Sequence, residues 1–320
     1  IYLEPAWPNF AGAAGVAGAT PVPVPLVEGD NGWYCDVGRV EAAISPRTTV
    51  MFVNTPANPT GWTADMDTLK ALLDLARRHG IWIIADEIYA LFHYGAGRAP
   101  SFMDIMEPED RILFVNTFSK NWAMTGWRIG WMKAHPSLGR TFENLVQYSS
   151  SGVAQFLQRG AIAALDQGDA FLSAQIAQAR ASRDLVCRKL AATGRVRFSV
   201  PPGAFYLFFR VDGMDDSTKA AFDIVDKALV GLAPGIAFGQ AGGHVRLSCE
   251  VRSDHQMAFE VSDDWLGMSP EQLAQLFQPF NRLGREHGGV DGTGIGLVIT
   301  RRLLELMHGH LEVHSSPGLF

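Results

Sequence analysis

The segment Thr117-Phe118-Ser119-Lys120-Asn121-Trp122-Ala123-Met124-Thr125-Gly126-Trp127-Arg128-Ile129-Gly130-Trp131 decides how this chain is read. One lysine follows two hydroxyl residues at the end of an apolar run, and one arginine follows it eight positions later. A lysine amine can form an imine with a carbonyl group. A guanidinium close by offers a planar fork that suits a phosphate, with the hydroxyls of Thr117 and Ser119 as further donors.

Working outward, Ile112-Leu113-Phe114-Val115 predicts the buried strand that delivers this segment, and Ile81-Trp82-Ile83-Ile84-Ala85 and Thr49-Val50-Met51-Phe52-Val53 predict two more. Leu69, Leu72, Leu73 and Ala76 recur at helical spacing, and Gly80 supplies the stop. Strands alternating with helices indicate a parallel sheet. Polar residues cluster just past each strand, at 54–58, 86–89 and 117–120. In open α/β sheets the ligand sits at these carboxyl ends. From about Ser137 to Thr193 the pattern is helical and Ala-rich. Strands are then predicted at 196–200, 203–209 and 244–248, in a smaller α+β unit. After about Phe259 the character changes again, to a polar helix and a Gly-rich loop.

Composition narrows the class. At 320 residues the chain has room for about two domains and a sizeable core. With 47% hydrophobic and 19% charged residues it reads as a globular protein, and a net charge of −6 provides no basic footprint for nucleic acid. Cys35, Cys187 and Cys249 are odd in number and widely spaced, which favours a reducing cytoplasm over a disulfide framework. No apolar stretch has the length of a membrane span, and Pro21, Pro23 and Pro25 interrupt the most apolar early region. The opening Ile1-Tyr2-Leu3-Glu4-Pro5 reads as an interior strand, without the basic start of a signal peptide.

Four separated motifs converge on one chemistry. Asn58 lies in the Pro- and Gly-bounded turn Asn54-Thr55-Pro56-Ala57-Asn58-Pro59-Thr60-Gly61, Asp86 follows a buried strand, Tyr89 comes three residues later, and Lys120 and Arg128 complete the set. Singly, such features have plain structural readings: the Asn58 turn is a common turn, Asp86 a helix cap, Trp7 a core residue and Arg246 a surface strand residue. In this order and spacing they resemble the class I/II aminotransferases, enzymes of fold type I that use pyridoxal phosphate. The resemblance runs from about Ile1 to about Phe259. It implies a three-layer, mainly parallel sheet with helices on both faces and a smaller α+β domain. It also implies a role for each residue. Lys120 carries the imine and shuttles the proton, and Asn58 and Tyr89 donate to the cofactor's phenolic oxygen. Asp86 keeps the pyridine nitrogen protonated, while Arg128, Thr117 and Ser119 hold the phosphate. Trp7 resembles the aromatic residue that stacks on the ring, and Arg246 the arginine that takes the substrate carboxylate. The implied partners are an amino acid, a 2-oxo acid and a second copy of the chain. The family's N-terminal arm and the Gly-containing loop that cups the phosphate are expected upstream of residue 1, so the core reads as N-terminally truncated. Other fold-type-I chemistries, β-elimination and decarboxylation, use much the same contacts and stay open.

The last sixty residues are different. Gly267-Met268-Ser269-Pro270-Glu271-Gln272, Phe277-Gln278-Pro279-Phe280-Asn281-Arg282-Leu283-Gly284 and Gly292-Thr293-Gly294-Ile295-Gly296-Leu297 resemble the ATP-binding domain of sensor histidine kinases. The glycines would admit a triphosphate to backbone amides at a helix start. By that resemblance Asp263, Gly267, Gly292, Gly294 and Gly296 are the nucleotide candidates, in a fragment of an α/β-sandwich ATPase domain, and ATP with magnesium enters only in this reading. Trp265 stands where that family has a glycine, and its magnesium-binding asparagine helix has no counterpart. His310, Glu312 and His314 alternate along a predicted strand but lack a fourth ligand, so they read as solvated strand residues and no metal is expected. The expected organisation is a cofactor-binding large domain over 1–150, connecting helices and small domain over 151–259, and a partial ATPase fragment over 260–320. The leading function is transfer of an α-amino group to a 2-oxo acid. The alternatives are a nucleotide-binding signalling module and a non-functional chimera.

Overall fold

A computed structural model describes residues 1–228, 230–239, 244–248, 274–277 and 301, with 244–248 described as backbone alone. The chain divides into two units, one of Ile1–Ala221 with Leu232–Glu250, the other of Phe222–Gly231 with Val251–Phe320. The first contains everything described below.

Its strands and helices follow the alternation expected of a parallel sheet. Strand β1 (Tyr2–Glu4) leads to helix α1 (Asn9–Val16), strand β2 (Pro23–Pro25), and a hairpin of β3 (Val27–Gly29) and β4 (Gly32–Tyr34). Then come α2 (Val37–Ala43), β5 (Val50–Asn54), α3 (Met66–His79), β6 (Trp82–Asp86), β7 (Ile112–Thr117), the one-turn helix α4 (Phe118–Asn121) and β8 (Gly130–Lys133). The main sheet has the order β2-β1-β5-β6-β7-β8. All its pairings are parallel except β7 with β8. Ile1-Tyr2-Leu3-Glu4-Pro5 thus yields an interior strand, as its composition suggests. The prolines at 23 and 25 are accommodated because β2 is an edge strand, where a missing N–H costs no ladder bond.

The core explains the pattern. Met51, Val53, Ile83, Ala85, Ile112 and Phe114 alternate along β5, β6 and β7 and share one buried cluster with Leu69, Leu72, Leu73, Leu75 and Ala76 of α3. Each such leucine contributes roughly 1.5–3 kcal/mol of burial. Helix α3 is bounded as its sequence requires. The Asp65 carboxylate accepts from the Thr68 amide at 2.7 Å, and Gly80 closes the other end in the left-handed region at φ 65°.

Helices α5 (Gly139–Ser149), α6 (Gln155–Gln167) and α7 (Asp169–Ala192) occupy the predicted helical stretch. A second sheet follows, of β9 (Val196–Phe198), β10 (Tyr206–Val211), β11 (Ala233–Pro234) and β12 (His244–Ser248), in the antiparallel order β11-β12-β10-β9. Here the expected strand over 203–209 is corrected. It begins at Tyr206, because the Pro201-Pro202-Gly203 turn extends through Ala204, held at φ 56° with its amide donating to the Phe92 carbonyl at 2.8 Å. Among the described residues no helix is long and apolar enough to cross a membrane.

Candidate active site

The parallel strands end on polar residues, and their register brings those ends together. Asn54 lies opposite Asp86, and Asp86 opposite Val115, two residues before Thr117. The Asn54 side chain bridges two of the predicted positions. Its amide donates to the Asp86 main-chain carbonyl at 3.1 Å, and its oxygen accepts from the Asn58 backbone amide at 2.8 Å. Asn58 is buried, and its side-chain Oδ1 finds no hydrogen-bond partner among the described residues. A buried polar atom without a partner is rare enough to mark a place where another molecule is expected to bond.

Asp86 lies deep in the molecule with part of its surface still accessible. Burial pushes its carboxyl up to about 7, reinforced by the adjacent Glu87 and opposed by the Ile88 amide that donates to Oδ1 at 3.3 Å. Glu87 serves structure: it is buried and accepts from the Ser101 hydroxyl at 2.7 and 2.8 Å and from the Phe102 amide at 3.2 Å.

Tyr89 is buried, and its hydroxyl hydrogen-bonds the hydroxyl of Tyr206 at the start of β10. The Phe205 ring meets Tyr89 edge-on with centroids 5.3 Å apart, and the Lys120 Nζ stands 5.8 Å from the centre of that same Phe205 ring. Lys120, Phe205, Tyr89 and Tyr206 therefore form one continuous group.

The Lys120 turn is built by its neighbours. Thr117 Oγ1 accepts from the Ser119 amide at 3.0 Å and donates to the Ile129 carbonyl at 3.2 Å, tying the two ends of the segment together. Arg128 is exposed, sits in the left-handed region at φ 52°, and donates from Nη1 to the Thr125 carbonyl at 3.0 Å. Trp7 is 44% exposed, with its ring centroid 6.4 Å from that of Phe238. Arg246 occupies the middle of β12, in register with Phe208 on β10 and Ala233 on β11. Asp263, Gly267, Gly292, Gly294 and Gly296, and likewise His310, Glu312 and His314, lie outside the described residues.

Three residues of the site, Asn54, Phe205 and Tyr206, are not among the site candidates read from the sequence, although Asn54 opens the Asn58 motif. A polar residue closing an apolar strand is a hint for Asn54. Phe205 and Tyr206 sit in an apolar run that reads as core.

The sequence over residues 1–258 matches the family model described as aminotransferase class I and II. The chain belongs to the class I and II aminotransferases. This chain is 34% identical over 250 residues to an LL-diaminopimelate aminotransferase of Desulforudis audaxviator, covering 77% of the chain and 62% of that relative. It is 35% identical over 250 residues to the arginine–pyruvate transaminase AruH of Pseudomonas aeruginosa, covering 77% and 63%. Among solved structures it is similar to a double mutant of the Thermus thermophilus aspartate aminotransferase, with TM-score 0.72, 33% identity, and coverage of 77% of this chain and 64% of that one. N-succinyldiaminopimelate aminotransferase from Mycobacterium tuberculosis gives TM-score 0.73 at 27% identity, with coverage of 77% and 66%. The chain spans less than two thirds of the length of these curated relatives. A second family model, the histidine kinase-, DNA gyrase B- and HSP90-like ATPases, matches residues 222–319 and so overlaps the first.

Proposed function

We propose that residues 1–259 act as a pyridoxal-phosphate-dependent aminotransferase, moving an α-amino group between an amino acid and a 2-oxo acid. The observation that carries the reading is the joining of Asn58 to Asp86 through Asn54, beside a group in which Lys120 and Tyr89 flank one phenylalanine. The residues fit the cofactor: the buried Asn58 amide has an end without a partner among the described residues, where a half-turn of the amide presents its NH2 as a donor, and the deep Asp86 carboxyl titrates at about 7 where a protonated ring nitrogen would stabilise its charge.

Bound pyridoxal phosphate supplies an aldehyde that links to amines and a ring that takes up the charge left when a substrate α-proton departs. The chain supplies the rest. Lys120 Nζ would hold the aldehyde carbon, and the same amine would serve as the base and acid for the substrate α-proton. Asp86 pairs with the ring nitrogen and holds its proton in place. Asn58 and Tyr89 direct polar hydrogens to the phenolic oxygen. Arg128, with Thr117 and Ser119, meets the phosphate, Trp7 covers the ring, and Arg246 takes the substrate carboxylate.

A homodimer belongs to the same proposal. Tyr148 of α5 is 84% exposed and Phe156 of α6 72% exposed, and Leu145, Ile162 and Leu165 are exposed on the same two helices. So large an apolar exposure marks an interaction surface. The proposed organisation is a cofactor-binding part over 1–150, a small-domain part over 151–259 and an ATPase-like part over 260–320. A reducing cytoplasm belongs to the same proposal and fits Cys35, whose thiol is free and buried.

Titrating the purified protein with pyridoxal phosphate tests the reading. The expected result is an imine absorption band, abolished in Lys120→Ala, with transfer of an amino group to a 2-oxo acid. No band overturns it. The match over 222–319 motivates a second reading, nucleotide binding by the C-terminal part. Calorimetry with Mg-ATP checks it, and heat that Gly294→Val removes would establish that site.

A further inference from the structure

Tyr89 and Tyr206 are each 2% exposed, and their hydroxyls bond to one another across 117 residues of sequence. The rings meet edge-to-face at 5.4 Å and 86°, and Phe205 packs edge-on against Tyr89 from the neighbouring position. A phenol has one proton and two lone pairs, so one partner of this pair donates and the other accepts. The choice matters for Tyr89. If its proton goes to Tyr206, only lone pairs remain to meet an electron-rich oxygen. If it accepts from Tyr206, its own proton can serve that oxygen, and the accepted bond polarises its O–H into a stronger donor.

The Tyr206 end is held unusually firmly. Ala204 is fully buried in the left-handed region, where an alanine is strained unless its surroundings over-determine it. They do so here. The Ala204 amide donates to the Phe92 carbonyl at 2.8 Å and the Tyr94 amide to the Pro202 carbonyl at 2.9 Å. From α7, Arg183 Nη1 donates to the Pro201 carbonyl at 3.0 Å and Arg180 Nη2 to the Tyr94 carbonyl at 2.8 Å. The turn before β10 and the loop after β6 are thereby clamped together, and the two phenols are set by that clamp.

We propose that Tyr206 is a positioning residue: its hydroxyl donates to the Tyr89 oxygen, so that the Tyr89 proton serves the cofactor's phenolic oxygen. The proposal rests on the pyridoxal-phosphate reading above, and its failure is distinguishable from the failure of that reading. A wild-type protein that shows the Lys120-dependent band upholds the reading whatever Tyr206 does.

The test compares Tyr89→Phe, Tyr206→Phe and the double variant by cofactor affinity and by the pH midpoint of that band. Loss of a donor to the phenolic oxygen disfavours its ionised form. Tyr206→Phe is therefore expected to weaken cofactor binding about five-fold and to raise the midpoint, as Tyr89→Phe does. In the Tyr89→Phe background it should change neither. A purely structural Tyr206 would weaken binding with the midpoint unmoved, or add its effect to that of Tyr89→Phe, and either result overturns the proposal. If Tyr206→Phe does not fold, 3-fluorotyrosine at position 206 keeps the ring and makes the hydroxyl more acidic. A lowered midpoint then supports the donor assignment, and an unmoved or raised one overturns it.

Discussion

Asn54 donates its side-chain amide to the main-chain carbonyl of Asp86 at 3.1 Å while accepting from the Asn58 backbone amide at 2.8 Å. One side chain thus sets the spacing between the ends of two parallel strands. Asn54→Ala leaves the part-buried Asn58 amide without its acceptor, while the Asp86 carbonyl keeps the Thr55 amide at 3.1 Å; the loss costs about 1–3 kcal/mol. The expected outcome is a lower melting temperature together with weaker pyridoxal phosphate binding, measured by cofactor fluorescence. An Asn54→Ala protein of wild-type affinity would show that the strand ends hold their geometry without the bridge.

Asp86 provides a pH signature in the cofactor-free protein. Its folded carboxyl titrates at about 7, raised chiefly by burial, whereas an unfolded aspartate titrates near ~3.9. The folded state therefore holds the proton more tightly. The contribution of Asp86 to stability is fully present below the unfolded value and is lost as the pH rises through about 7. Asp86→Asn keeps the shape and removes the titration. Relative to wild type, the variant should gain up to about 1.4 kcal/mol per pH unit across that window and nothing more above it. Denaturant unfolding at a series of pH values reads the gap directly, and a constant gap contradicts the assignment.

The sequence reveals the scaffold better than the contacts within the site. The strands at Thr49–Val53 and Ile81–Ala85 are each found one residue later, at Val50–Asn54 and Trp82–Asp86. The apolar runs locate a strand, but hydrogen bonding sets its ends, and the common shift brings the Asn54–Asp86 pair within the ladder as its last rung. Helix α3 was legible to its last residue because Gly80 does local work that no other residue does as cheaply. Tyr206 was not legible as a site residue. Its partner lies 117 residues away, and a tyrosine within Phe205-Tyr206-Leu207-Phe208-Phe209 has the local pattern of core. Motif residues announce themselves through spacing, whereas the residues that hold them are found only by tertiary contact.

The ion pair between Arg77 and Asp110 anchors α3 to the loop before β7. Arg77 Nε and Nη2 reach Asp110 Oδ1 and Oδ2 at 2.8 and 2.7 Å, and Asp110 Oδ2 also accepts from the Glu107 amide at 2.7 Å. The carboxylate is 7% exposed, and the guanidinium beside it holds its titration below the usual range. Because the arginine remains partly solvated, Asp110→Ala should cost about 2 kcal/mol, between the values for exposed and fully buried pairs. Arg77→Lys loses the two-pronged geometry and should cost about 1 kcal/mol. Thermal unfolding of both variants checks the order.

Two glycines at similar positive φ make opposite predictions about the site. Gly80 has φ +65° and open space around it, with an added Cβ no closer than 3.8 Å to Arg111 Nη1. Gly80→Ala should therefore cost only the left-handed backbone penalty, about 1 kcal/mol, and leave cofactor binding unchanged. Gly61 has φ +69°, and its added Cβ would stand 2.3 Å from Pro201 Cβ and 2.8 Å from the Gly203 carbonyl oxygen. Neither neighbour is the end of a flexible side chain. Gly61→Ala must push the turn that carries Phe205 and Tyr206, at a cost of about 3 kcal/mol or more. Its expected signature is twofold: a large drop in melting temperature, and a shift of the Lys120-dependent band that Gly80→Ala does not produce. Equal effects of the two substitutions would show that the 201–206 turn yields freely and does not set the position of the tyrosine pair.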